Sequence, residues 1–263
     1  METHSNSEKP IKNQLAIVTG ASSGIGEALS DRLLSENWNV VGVARSPVKR
    51  PGTGFQHIQG DLGDLDQLKN TVLPRLEQIF DSRVWNRVAL VNNAASTGQL
   101  RDLAQSDPEA LAETLAINTV TPAALSGLLA RICPVTTPLR IVNLSSGLAH
   151  FALPGCGDYC ISKAGLHMLG QVFAAEQESA GVTQRAVLNF SPGTVATNMQ
   201  QKLRSEQGEE FPSAGIFQSF HSEGMLVSPQ AVLEPIMSFL SEDSPDAFSE
   251  FSYEVGQSDP VSY

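Results

Sequence analysis

Leu15-Ala16-Ile17-Val18-Thr19 runs directly into Gly20-Ala21-Ser22-Ser23-Gly24-Ile25-Gly26, and this stretch decides how the chain is read. The first five residues are apolar or β-branched with no polar alternation, the pattern of a strand covered on both faces. Gly20 allows a sharp turn, Gly24 lets backbone approach a phosphate, and Gly26 lets the next helix pack tightly on the sheet. A helix follows with Glu27 in its first turn, and its free N–H groups suit a pyrophosphate. Strand, glycine-rich turn and helix in this order point to a dinucleotide-binding unit built on Gly20, Ser22, Ser23, Gly24, Ile25 and Gly26. The spacing is Gly-x-x-x-Gly-x-Gly rather than the commoner form, so from the motif alone a plain turn remains the alternative.

The same rhythm continues outward. Further apolar runs are Val40–Ala44, Phe55–Ile58, Val88–Val91, Arg140–Leu144 and Ala186–Phe190. Amphipathic stretches near 24–36, 64–79, 107–131, 158–179 and 228–241 predict helices. Such alternation predicts an α/β fold with a doubly wound parallel sheet and helices on both faces. No linker or repeat divides the chain, which predicts a single domain over 12–263 after a disordered tail, 1–11. The segment 198–226 breaks the rhythm. It is polar, carries Phe211, Phe217 and Phe220, and reads as a lid or as an irregular connection.

The chain has 263 residues, 41% apolar and 17% charged, which excludes a disordered or fibrous protein. No run approaches the ~18 apolar residues that span a bilayer. The polar stretch Met1 to Pro10 lacks the apolar core of a signal peptide, and the expected location is the cytoplasm. Three cysteines are too few for a disulfide framework. Cys156 and Cys160 have no histidine at a zinc-type spacing, so no metal site is expected and His167 reads as a helix-face residue. Seventeen basic and 28 acidic side chains give a net charge of −11. The last basic residue is Arg204, and the whole acidic excess follows it. A neutral body with an acidic end does not suit a nucleic-acid binder.

Arg45-Ser46 follows the second strand, where a dinucleotide fold meets the adenosine ribose. A carboxylate there suits NAD and an arginine suits the 2′-phosphate of NADP. No acid is present, and Lys49 and Arg50 add charge, so NADP(H) is the expected cofactor, with a solvated basic loop as the alternative. Tyr159 and Lys163 stand four apart on one helix face. An ammonium beside a phenol lowers its pKa toward the working range of an acid–base catalyst. Ser146 follows the strand Arg140–Leu144, and Asn92-Asn93-Ala94 follows Val88–Val91. Strand ends of this kind are where α/β sheets place their sites.

Taken together, these residues resemble the short-chain dehydrogenase/reductase family over about 12–256. Thr19 to Gly26 resembles its glycine motif, Asp61-Leu62 its adenine-contacting pair, and Asn92-Asn93-Ala94-Ala95 its Asn-Asn-Ala-Gly motif. Asn118, Ser146, Tyr159 and Lys163 match its catalytic tetrad. Pro192-Gly193-Thr194-Val195-Ala196-Thr197 resembles the segment that clasps the nicotinamide. Alanine replaces glycine at position 95, which raises the prospect of backbone strain. Within the family, Val43 to Ser46, Asp158-Tyr159-Cys160 and Asn189 to Gly193 are similar to sepiapterin reductases and benzil reductases.

The resemblance implies a Rossmann-type sheet of about seven strands and the cofactor contacts Asn92, Ala94, Pro192, Gly193, Val195 and Thr197 besides those above. It implies hydride transfer to a carbonyl, with Tyr159 as proton donor, Ser146 orienting the oxygen, and Lys163 tuning Tyr159 and holding the ribose. Asn118 would hold a water that links Lys163 to solvent. Glu254 falls near the acid that anchors the pterin in sepiapterin reductases, and reads equally well as a surface acid. Phe151, Leu153, Met199 and the phenylalanines of 198–226 suggest an apolar pocket for a small uncharged ketone such as a 1,2-diketone. A 3-ketoacyl thioester reductase and a non-catalytic NADP(H)-binding sensor or scaffold are the other readings. The helix after Asp158 is apolar almost all round, and a homo-oligomer, dimer or tetramer, would cover it.

Overall fold

The computed structural model describes residues 13–48, 50, 53–206 and 211–254. The expected tail 1–11, Lys49 and residues 207–210 of the 198–226 segment lie outside them. Seven parallel strands form one sheet in the order β3-β2-β1-β4-β5-β6-β7. They are β1 Gln14–Thr19, β2 Asn39–Ala44, β3 Phe55–Gln59, β4 Arg87–Asn92, β5 Leu139–Leu144, β6 Arg185–Ser191 and β7 Phe248–Ser252. Strands β2, β4, β5 and β6 are buried along their whole length, which is why they read as continuous apolar runs. β7 is different. Phe-Ser-Glu-Phe-Ser carries no apolar run and is half-buried throughout, with Phe248 packed toward one face of the sheet and Phe251 toward the other.

Helices cover both faces. Helix α1 (Gly24–Ser35) and the last helix pack Leu29, Leu33, Ile236 and Leu240 against one face. Helix α2 (65–81), α3 (Pro108–Ile132) and α4 (Gly157–Ser179) cover the other through Leu76, Leu125, Leu129 and Phe173. Two short helices, α5 (Asn198–Ser205) and α6 (Ala214–Ser222), lie in the segment 198–226, and α7 (Leu233–Ser241) closes the order.

Helix α3 is long and apolar enough, by length and composition, to cross a membrane. In this fold it packs on the sheet, with Leu125, Leu128 and Leu129 in the core and Asn118 and Thr121 buried in polar contacts. It is not a uniform helix either, because Ala116–Val120 forms a π-turn that contains Asn118.

On the α3/α4 face, β4, β5 and β6 carry an asparagine at one register level: Asn92 beside Asn143, and Asn143 beside Asn189. Their amides bond in series, Asn92 Nδ2 to Asn143 Oδ1 at 2.8 Å and Asn143 Nδ2 to Asn189 Oδ1 at 2.9 Å. Glu250 of β7 occupies the next place in the row.

Candidate active site

The carboxyl ends of β1, β2, β4 and β5 open into a groove of about 530 Å³. Its floor begins at the glycine turn. Gly20 has φ +67, a left-handed conformation that suits glycine. A side chain at Gly26 would collide with Asn93 Nδ2 and the Gly20 carbonyl, so this glycine permits the close approach of α1 to the β4 end. Thr19 stitches the two strand ends together: its hydroxyl donates to Val91 O and accepts from the N–H groups of Asn93 and Ala94. Asn93 Nδ2 donates to Thr19 O at 2.8 Å. Ser23 precedes α1 without a capping bond, and Ser22, Ser23, Gly24 and Ile25 line the groove. First-turn N–H groups that no side chain claims are suited to an anion.

Further along, Arg45 and Ser46 line the groove from the end of β2. The Arg45 guanidinium is 72% exposed and lies 3.7 Å from Asp61 Oδ2. Asp61, Leu62, Ala94, Ala95, Pro192, Thr197 and Met199 complete the lining together with Tyr159 and Lys163. Arg50 is engaged elsewhere. It pairs with Asp31, donates to Ala21 O and Glu27 O, and stacks on Phe55 at 4.7 Å, so it braces the glycine turn. Ala95 carries no backbone strain, since Asn37 is the non-glycine residue with positive φ among the described residues.

At one end of the groove Tyr159, Ser146 and Lys163 meet. Ser146 is a hydrogen-bonding neighbour that favours ionisation of the Tyr159 hydroxyl, and its Oγ accepts from Leu148 N at 3.2 Å. Lys163 Nζ sits 5.5 Å from the Tyr159 ring centroid and donates to Leu144 O at 2.6 Å. Burial pushes the phenol up to about 12, and Ser146 pulls against that without overcoming it. Burial also brings Lys163 down to about 8. Among the groups that the chain itself supplies, desolvation outweighs the neighbours of Tyr159.

Other expected residues take places away from the groove. The Asn92 side chain is buried in the amide row, and its neighbour Asn93 faces the groove instead. Val195 is buried beside Val227, and Gly193 packs against the Tyr253 carbonyl. The Asn118 amide bonds Ser96 N, Ser96 O and Ser162 Oγ, each at 2.8 Å. It thus ties the β4 exit to α4. Phe151 is 69% exposed on the rim, and Glu254 is exposed beyond β7. Phe211 and Phe217 stack at 5.8 Å in a cluster of their own with Cys156, against which Leu153 packs, so they support the 198–226 segment from beneath. Groove residues that the sequence did not signal are Thr97, Glu113, Ile117 and Lys202. Ser145, the alternative to Ser146 by sequence, also lines the groove, and its buried hydroxyl has no partner among the described residues.

A dinucleotide fits what these residues offer: an uncapped helix start behind a glycine turn, an exposed guanidinium at the β2 end, and an unsatisfied hydroxyl beside Lys163. Comparisons with known proteins agree with this geometry. Residues 14–208 match the short chain dehydrogenase family. A benzil reductase ((S)-benzoin forming) of Bacillus cereus is 28% identical over 86% of this chain and 94% of its own length. A sepiapterin reductase of Rattus norvegicus is 31% identical over 88% of this chain and 92% of its own. Among solved structures, a 4-hydroxyisoleucine dehydrogenase complexed with NADH superposes with a TM-score of 0.74, at 20% identity, over 93% of this chain and 98% of that one, a likeness of fold.

Proposed function

We propose that this chain, which belongs to the short chain dehydrogenase family, is an NADPH-dependent reductase of small uncharged ketones. A 1,2-diketone such as benzil, or a pterin side chain like that of sepiapterin, is the substrate class we favour. The observation that carries this reading is the placement of Tyr159 and Lys163 at one end of the groove, the ammonium 5.5 Å from the phenol ring and Ser146 a neighbour of its hydroxyl. The similarity to a benzil reductase and a sepiapterin reductase supports the substrate class.

Bound in the groove, the dinucleotide supplies a hydride to the carbonyl carbon. Negative charge then develops on the carbonyl oxygen. Tyr159, held protonated by burial, gives that oxygen its proton. Ser146 fixes the oxygen by a second hydrogen bond. Lys163 keeps an ammonium at neutral pH, and it reprotonates the phenol and holds the ribose. Arg45 favours NADPH over NADH, because its exposed pairing with Asp61 is weak and yields to a 2′-phosphate. The test is cofactor consumption by the purified protein with benzil, sepiapterin, simple aldehydes and a ketoacyl thioester, using NADPH and NADH in parallel. Turnover of a diketone or sepiapterin with NADPH is expected. Turnover of the thioester alone, or NADPH binding with no turnover, would replace this reading by one of its rivals.

Oligomerisation belongs to the same proposal. Ile161, Met168 and Val172 form an exposed apolar stripe along α4, and Val120 adds to it from α3. A second copy of the chain would cover it. Light scattering at micromolar concentration should return a dimer or tetramer, and a monomer would contradict it.

A further inference from the structure

We propose that His150, His167 and Glu250 form a zinc-class metal site at the β7 edge of the sheet. The three residues are far apart in sequence, and the fold gathers them. His150 lies in the loop that follows Ser146, His167 stands two turns beyond Tyr159 on α4, and Glu250 is in β7. Glu250 Oε1 is 2.8 Å from His150 Nε2 and 3.5 Å from His167 Nδ1. All three donor atoms lie within 4.8 Å of one another, and the imidazole rings meet edge to face at 4.6 Å.

Asn189 Nδ2 donates to His167 O at 3.0 Å, so the amide nitrogen must face helix α4. The same nitrogen lies 3.1 Å from His167 Nδ1. Two N–H groups cannot face each other there, so Nδ1 carries a lone pair and the proton sits on Nε2. That lone pair lies 3.5 Å from a carboxylate oxygen with no proton of its own to place between them.

Two imidazoles and one carboxylate are the ligand set of zinc and its neighbours, whereas magnesium and calcium take oxygen ligands. Zinc bonds of ~2.0–2.2 Å in a tetrahedron set donors about 3.3 Å apart. The two distances to Glu250 bracket that figure, and His150, with a side chain 40% exposed, is free to close the third. The open side leaves the fourth position to water. Asn189 is itself fixed by Asn143, and Gly170 leaves it room, since a Cβ there would lie 2.6 Å from Asn189 Oδ1. On binding, the metal takes the Nδ1 lone pair and Asn189 keeps its bond to the His167 carbonyl. The site would clamp the loop bearing Ser146 and Phe151 to α4 and β7. It uses none of the groups that line the groove, so it stands or falls apart from the reductase reading.

The test begins with chelator-treated protein, titrated with Co²⁺ by visible spectroscopy and with Zn²⁺ by calorimetry. Expected are the intense visible bands of tetrahedral Co²⁺ and micromolar Zn²⁺ affinity, with no heat from Mg²⁺. Losing an outer-shell partner weakens metal binding ~10- to 100-fold, and losing a ligand should do at least as much. His150→Ala removes an exposed residue and should therefore weaken Zn²⁺ binding about tenfold or more while leaving the circular dichroism unchanged. Glu250→Gln should repeat the loss, and Cys160→Ser should leave affinity intact. Absence of the Co²⁺ bands, equal Zn²⁺ affinity in His150→Ala, or loss of binding in Cys160→Ser would each overturn the proposal.

Discussion

The two ends of the sheet treat polar groups in opposite ways. At the amino end, Arg87 and Arg140 are buried on β4 and β5. Arg87 donates to Leu240 O, Glu242 O and Asp243, and Arg140 donates to Gln184 O, Glu242 O and Asp243 O. These guanidiniums close the chain ends over the core. At the carboxyl end the Ser145 hydroxyl has no partner among the described residues, Ser23 caps nothing, and Arg45 stands mostly in solvent. The difference separates polar residues that serve folding from polar residues whose hydrogen-bonding capacity is reserved for a ligand.

Substitutions at the two ends should therefore fail differently. The largest effect belongs to Tyr159→Phe. It removes the proton donor and should lower turnover ~100- to 10,000-fold, with NADPH affinity by fluorescence titration nearly unchanged. Full activity would remove Tyr159 from the chemistry. Arg140→Met acts at the other end. Leaving buried carbonyls without their donor costs about 3 kcal/mol or more, read as a lower urea midpoint, while turnover per folded molecule stays the same. Arg45→Ala should raise the KM for NADPH about tenfold, the order of one charge-assisted phosphate contact, and leave the KM for NADH alone. An equal effect on both cofactors would make Arg45 a groove wall only.

The smallest effect is in the pH dependence of stability. Lys163 falls from 10.5 to about 8 in the folded chain, so the unfolded chain holds its proton to higher pH. Its contribution is complete above pH 10.5 and is lost as pH falls through about 8. Between pH 8 and 10 the protein should gain stability with rising pH relative to Lys163→Met. Tyr159 complicates only the range above, where its ordinary value of 10 and folded value of about 12 diverge. Parallel curves for the two proteins would mean that the Leu144 carbonyl keeps the ammonium as stable inside as in water.

Most of the architecture was legible because buried parallel strands and a glycine turn have local signatures. The six apolar runs lie within strands β1 to β6, and the spacing of Tyr159 and Lys163 set them on one helix face. β7 escaped because Phe248 and Phe251, three residues apart and packed toward opposite faces, make neither an apolar run nor an alternation. Within the site, a motif names neighbouring residues but not which of them faces the groove. That is how Asn92 was chosen over Asn93, and why Lys202, on an otherwise polar helix, gave no signal. Phe211 and Phe217 looked like pocket walls, and only their mutual stacking gives them a different use. His150, His167 and Glu250 are brought together by β7 pairing, which no local spacing reports.

The row of asparagines bears on how the chain finds its fold. A strand that is apolar on both faces has no inside and outside to distinguish, so a shifted alignment with its neighbour would bury as much oily surface as the correct one. The amides of Asn92, Asn143 and Asn189 remove that ambiguity. Slippage of β4, β5 or β6 by even one place would strand a buried carboxamide against hydrocarbon, a penalty of ~1–3 kcal/mol for each group left unmatched. Three side chains thereby act as an alignment key, letting the middle of the sheet reject near-miss pairings that its greasy neighbours would accept.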